Sequence, residues 1–236
     1  CINKSSRKII KACVPMHTFG HPCRIDEIIE VCDSYNIAVL EDCAESLGSY
    51  YKEKHTGSFG KIGIFSFNGN KIITTGAGGM LVSNDQHIAK KAKHITTTAK
   101  VPHPYEFIHD ELGYNYRLPN IAAALGLAQM EKLQVFLKSK RELANRYEAF
   151  FSDKNVDFIS EPNNSRSNYW LNSIILKDRE TRDSFLDYSN SKGVMTRPIW
   201  KLMNKIEMYK NAQTSNLENS EWLEDRVVNI SSSVLL

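Results

Sequence analysis

The 236-residue sequence contains no apolar run approaching the ~20 residues that a membrane-spanning helix requires, so no transmembrane helix and no membrane partner are expected. Charge of one sign is scarce as well. Thirty basic side chains stand against 27 acidic ones, a net of +3, which is too small a surplus to argue for nucleic acid as a partner. The five cysteines (Cys1, Cys13, Cys23, Cys32 and Cys43) are odd in number and contain no CxxC pair. Neither a disulfide framework nor a thiolate zinc site is supported, and reduced thiols in a cytoplasmic setting are the expectation. Among His17, His87, His94, His103 and His109 no HxxxH or HExxH spacing occurs, so no metal site is expected. Nor is there a GxGxxG or GxxxxGK[ST] phosphate loop. The basic start Cys1–Lys8 lacks the apolar stretch of a signal peptide, and without an initiator Met the chain reads as a fragment.

What is present is ordinary for a soluble globular protein: 42% apolar and 24% charged residues, enough for one large domain or two smaller ones. Lys8 to Val14 reads as a strand ended by Pro15, and Ile25 to Cys32 has the three-and-four spacing of a helix with one buried face. Ile37-Ala38-Val39-Leu40 is an apolar run of strand length, closed by Glu41-Asp42. This alternation predicts an α/β fold, a mainly parallel sheet with helices on its faces, whose ligands collect beyond the carboxyl ends of the strands. Asp42 sits at such an end. Further strands are expected at Ile62–Phe67 and Met80–Val82, joined by an irregular, glycine-rich connection from Ser66 to Gly79. A helix is expected over 88–95. Pro119 is placed to open an alanine-rich helix to about Leu133, followed by a second to about Phe151. Residues 1–133 would form the large domain and 134–236 a linking helix and a smaller α+β domain, with a strand over 169–176, a helix over 182–192 and a strand over 194–199.

Lys71 follows a strand and an Asn68-Gly69-Asn70 turn, and precedes Gly76-Ala77-Gly78-Gly79. A lysine in a partly buried loop loses its charge more readily and its amine can attack carbonyls, although alone it reads first as a surface lysine in a turn, and only its company shifts that reading. Asp42 either caps the following segment or faces the same crevice, where a buried carboxylate needs a cationic partner such as a protonated pyridine nitrogen. Ser66 has a hydroxyl suited to a phosphate, and the glycine backbone permits close approach of a ligand. Of the three tryptophans, Trp200 beside Arg197 is the best candidate for a substrate platform, and packing explains the others.

Together these blocks carry a resemblance. Ser66-Phe67-Asn68-Gly69-Asn70-Lys71 with Thr75-Gly76-Ala77-Gly78-Gly79-Met80 resembles the cofactor-lysine motif of the DegT/StrS-type sugar aminotransferases, pyridoxal-phosphate enzymes of fold type I. Three more blocks match in order: Val14-Pro15-Met16-His17-Thr18-Phe19-Gly20, Leu40-Glu41-Asp42-Cys43-Ala44-Glu45 and Gly113-Tyr114-Asn115-Tyr116-Arg117-Leu118. The resemblance implies that Lys71 holds pyridoxal 5'-phosphate covalently and then shuttles the substrate proton. It implies further that Asp42 pairs with the pyridinium nitrogen, that Ala44 packs on one ring face and that Ser66 holds the phosphate. Glu45 stands near the cofactor, where relatives often have Gln or His. Asn115 would reach the partner's cofactor phosphate, so a homodimer with a shared site is implied. Ala77 departs from the Glu of many relatives, and the N-terminal part of the family's large domain has no counterpart upstream of Cys1. The segments 96–100 and 109–117 are most similar to enzymes of the legionaminic and bacillosamine pathways. The implied reaction is transfer of the amino group of glutamate to the C4 ketone of a nucleotide-linked 4-keto-6-deoxy sugar, in polysaccharide biosynthesis. Its rivals are a deoxygenating (dehydratase) relative, in which histidine replaces the cofactor lysine, and a non-catalytic cofactor-binding regulatory or sugar-sensing protein.

Overall fold

The computed structural model describes residues 1–234. In chain order the elements are β1 (Ala12–Cys13), α1 (Ile25–Ser34), β2 (Ala38–Asp42), β3 (Tyr50–Tyr51), β4 (Lys54–His55), β5 (Ile62–Ser66), β6 (Gly79–Val82), α2 (Gln86–Thr96), β7 (Lys100–Val101), β8 (Ile108–His109), α3 (Asn120–Phe151), β9 (Asp157–Phe158), β10 (Ser165–Arg166), β11 (Asn172–Ile175), α4 (Arg179–Ser191), β12 (Arg197–Pro198), α5 (Glu218–Glu224) and β13 (Val227–Ile230). The chain divides into two compact units, one of residues 1–137 with 161–168, the other of residues 138–160 and the chain from Tyr169 onward.

The first unit is organised by a four-stranded sheet in the order β1-β2-β5-β6. β1, β2 and β5 run parallel, and β6 returns antiparallel to β5 with Ser66 opposite Gly79. α1 forms because Ile25, Ile28, Ile29 and Cys32 share one face, and Asp26 and Glu27 in its first turn complement the helix dipole. That face packs with Val39, Tyr51 and Phe59 into the core of the unit. Val39 and Glu41 of β2 are buried while Leu40 and Asp42 are half-buried. Because strand side chains alternate, Glu41 and Asp42 point to opposite faces of the sheet. Gly63 lets the 57–60 loop lie directly on β5: a Cβ there would sit 2.2 Å from the Gly57 carbonyl oxygen. Segment 161–168 joins this unit through β10, which pairs antiparallel with β3.

The second unit holds an antiparallel sheet in the order β12-β13-β11-β9. Ile174, Leu176, Val228 and Ile230 form its core with Phe158, Phe185 and Leu186. Asp178 caps α4 by accepting the Thr181 amide at 2.8 Å.

Three expectations change. α3 is one helix over Asn120–Phe151 and does not break near Leu133, since the stretch there has neither Pro nor Gly and is built of good helix formers. The strand read over 8–14 shortens to Ala12–Cys13, because only those residues pair with β2, and the strand over 194–199 shortens to Arg197–Pro198. The two-residue strands β3, β4, β7, β8, β9 and β10 have no period long enough to be seen in the sequence.

Candidate active site

Asp42 ends β2, and its backbone is clasped on both sides. Its N–H donates to the Pro15 carbonyl at 2.9 Å and its carbonyl accepts the His17 amide at 3.1 Å. Its Oδ1 accepts the Ala44 amide at 3.0 Å, as an aspartate capping a turn does, which leaves Oδ2 for another partner. Behind it, Glu41 is fully buried and accepts four hydrogen bonds. Oε2 takes the Gly57 amide at 2.8 Å and His17 Nε2 at 3.1 Å, and Oε1 takes the amides of Phe59 and Gly60, both at 2.7 Å. His17 Nδ1 accepts the Cys23 amide at 3.2 Å, so the ring proton lies on Nε2 and points at Glu41. Burial alone would raise the Glu41 pKa, but the hydrogen bonds from His17 and the three amides outweigh it and hold the carboxyl below its ordinary value. The strut fixes the strand that carries Asp42. Its signal in the sequence was a carboxylate of inward parity in an apolar strand, which must find donors.

His17, Glu41 and Cys43 come close enough together to share a metal ion, and His17 and His21 are four residues apart. The chemistry does not fit a metal. Both nitrogens of His17 are committed, Glu41 is saturated with donors, and burial pushes the Cys43 thiol up to about 12.

Lys71 lies where the chain leaves β5. Its amide closes a turn on the Asn68 carbonyl at 3.0 Å, and the buried Ile72 and Ile73 anchor the chain just after it. The base of the loop is tied by the Phe67 amide to the Gly78 carbonyl (2.9 Å) and the Thr75 amide to the Phe67 carbonyl (3.0 Å). Gly76 and Gly78 have φ of +81° and +103°, a left-handed conformation that glycine adopts without strain. The Lys71 side chain is 14% exposed, and its Nζ lies 4.0 Å from Glu45 Oε1. Burial lowers its pKa from the ordinary lysine value, opposed by the charges of Glu45 and Asp42. Burial raises the Glu45 carboxyl, opposed by the Phe19 amide and Lys71. Ser66 Oγ accepts the Asn68 amide at 3.3 Å, which leaves its proton to donate.

The structure thus brings Lys71, Asp42 and Glu45 within electrostatic reach of one another, with Ala44 in the turn after β2 and Ser66 at the end of β5. Asn115 is exposed, its backbone bridges to Thr97, and its Oδ1 accepts Arg117 Nε at 3.2 Å. A cleft of about 850 Å³ lies between the Gly76–Leu81 segment and Tyr116 to Pro119. In the second unit Trp200 stacks on the buried Trp170 with centroids 6.1 Å apart.

An amine of lowered basicity, a carboxylate with one oxygen to spare, a hydroxyl donor and a glycine loop form the donor set for a molecule carrying a carbonyl, a basic ring nitrogen and a phosphate. The model of the DegT/DnrJ/EryC1/StrS aminotransferase family matches residues 1–236. The chain belongs to this family. The GDP-perosamine synthase of Escherichia coli O157:H7 is 39% identical over 203 residues, 84% of this chain and 54% of that one. The chain therefore spans about half the length of that relative. A DegT/DnrJ/EryC1/StrS aminotransferase from Brucella abortus superposes with a TM-score of 0.89 at 25% identity, covering 98% of this chain and 61% of that structure. The E. coli GDP-4-keto-6-deoxy-D-mannose-3-dehydratase, solved with bound hydrated pyridoxal phosphate, superposes with a TM-score of 0.86 at 26% identity, covering 95% and 63%. The fold is that of the fold type I enzymes, and pyridoxal phosphate is the family's cofactor, which the donor set around Lys71 fits. Among the described residues no helix is long and apolar enough to cross a membrane.

Proposed function

We propose that the protein is a pyridoxal-phosphate-dependent aminotransferase acting on a nucleotide-linked keto-sugar, and that the meeting of Lys71, Asp42 and Glu45 carries this reading. Lys71 Nζ holds the cofactor, Asp42 Oδ2 pairs with its ring nitrogen, Ala44 packs on the ring, Glu45 lies beside it and Ser66 Oγ donates to its phosphate. When bound, the cofactor supplies a carbonyl that exchanges amines and a ring that withdraws electrons. Its lowered basicity would suit Lys71 to take the α-proton of the donor at Nζ and return it to the sugar carbon. Asp42, oriented by the Glu41 strut, keeps the ring nitrogen charged. Glutamate is the proposed donor, the C4 ketone of a 4-keto-6-deoxy sugar the acceptor, and polysaccharide biosynthesis in the cytoplasm the setting. Asn115, which is exposed, is proposed to serve the partner subunit's cofactor phosphate in a homodimer. We take residues 1–133 as part of the large cofactor domain and 134–236 as the linking helix and smaller domain.

A specific observation separates this from the deoxygenating reading, since position 71 is a lysine and the deoxygenating relatives replace it with histidine. The test is borohydride reduction of the full-length protein incubated with pyridoxal phosphate, followed by peptide mapping. A pyridoxyl group is expected on Lys71. Its absence in folded protein refutes the assignment. A glutamate half-reaction assay excludes the regulatory alternative if the cofactor is converted to its amine form.

A further inference from the structure

We propose that Glu45 is the positioning residue for Lys71: the turn over residues 17–20 aims its carboxylate at the amine, and the buried ion pair so formed holds the amine protonated. The inference rests on the reading of Lys71 as the cofactor lysine and assigns how its protonation is set. Glu45 is 8% exposed. Its Oε2 accepts the Phe19 amide at 2.7 Å, which leaves Oε1 as the oxygen facing Lys71 Nζ at 4.0 Å. The Phe19 amide is held in place at a cost. Phe19 has φ +59° and ψ +12°, a left-handed conformation that a bulky side chain rarely adopts. It is kept there by burial of its ring and by Gly20, whose carbonyl accepts the hydroxyls of Ser49 (2.7 Å) and Ser167 (2.9 Å). Asn168 Nδ2 donates to the Glu45 carbonyl at 2.8 Å and fixes its backbone.

The physical consequence concerns net charge. Taking an isolated charge out of water is expensive, and an opposite charge beside it offsets part of that cost. With the amine protonated, Glu45 is a carboxylate. The carboxylate favours the charged form of the amine, which burial disfavours. Asp42 is the other charged group that acts on both members, and it raises both. Burial pushes the Glu45 acid up and the Lys71 amine down, and the charge of each opposes the shift of the other. A glutamine at position 45 would keep the volume and the acceptor for Phe19, but not the charge.

The test uses cofactor-free full-length protein. Competitive acetic anhydride labelling across pH, read on the Lys71 peptide by mass spectrometry, gives the midpoint at which its amine becomes reactive. In Glu45→Gln that midpoint should fall by one pH unit or more, which is about tenfold faster labelling below it, with circular dichroism unchanged. An unchanged midpoint in folded Glu45→Gln overturns the proposal. If that variant does not fold, Lys71→Met with ¹³C-carboxyl glutamate serves instead. The Glu45 resonance should then titrate at least one unit higher than in wild type, and an equal midpoint overturns the proposal. Borohydride trapping on wild type is independent of both, so loss of the cofactor reading is distinguishable from loss of the pair.

Discussion

Replacing Glu41 by glutamine changes one atom of a side chain that accepts four hydrogen bonds in a fully buried site. The amide oxygen can keep Phe59 and Gly60, but the new NH₂ then faces the Gly57 amide and His17 Nε2–H, donor against donor. His17 cannot move its proton to the other nitrogen without breaking the bond from the Cys23 amide. Two buried donors therefore lose their acceptors, each at roughly 1–3 kcal/mol, for a total of about 2–6 kcal/mol, against a usual total stability of about 5–15 kcal/mol. Urea unfolding of the full-length protein followed by circular dichroism measures this directly. The pH dependence gives a second signature. The folded carboxyl titrates below the ordinary value of 4.5, so its contribution is complete above that pH and is lost as pH falls through the lower, folded value. Wild type should lose stability on acidification below about pH 4.5 more steeply than Glu41→Gln. A variant within about 0.5 kcal/mol of wild type, with the same acid limb, would refute the reasoning, because a strut of this kind cannot be silent.

Lys140 of the second unit is buried and donates to the carbonyls of Trp170 and Ser232, and burial lowers its pKa to about 8. The unfolded chain binds this proton up to the ordinary 10.5, so stability should rise as pH climbs from about 8 to 10.5. The gain is at most on the order of 3 kcal/mol, and Lys140→Met should abolish the rise in urea midpoint. Gly63→Ala should cost about 3 kcal/mol or more in the same measurement, since its Cβ would fall 2.2 Å from the Gly57 carbonyl oxygen. Asn115→Ala should weaken pyridoxal phosphate binding by about tenfold, the loss of one charge-assisted hydrogen bond, with unchanged circular dichroism. An unaltered dissociation constant would remove Asn115 from the site.

Much of the site could be read before any coordinates. Lys71, Asp42 and Ser66 lie at strand ends or just after them, and both the apolar run that makes a strand and the turn residues that end it are local in sequence. Helices α1, α2 and α4 were visible for the same reason. The Glu41 strut was not: its histidine partner is 24 residues away, and only the parity of one buried carboxylate hinted at it. The aim of Glu45 depends on the Phe19 amide, 26 residues distant, in a left-handed conformation that nothing about phenylalanine announces.

The single helix α3 reads as two because its composition changes from alanine-rich to charged near Leu133, although propensity favours helix on both sides and no cap chemistry marks a break. The return of residues 161–168 to the first unit rests on pairing β10 with β3, which are too short to carry any period. The amino-acid sequence by itself determined the alternation of strands and helices and the residues placed at strand ends, since both follow from interactions among near neighbours. Tertiary structure alone decided which distant donors satisfy Glu41, which amide orients Glu45 and how near Lys71 comes to it. Those distances are set by closure of the first unit around its core, where a buried polar group accepts whichever partner the fold delivers.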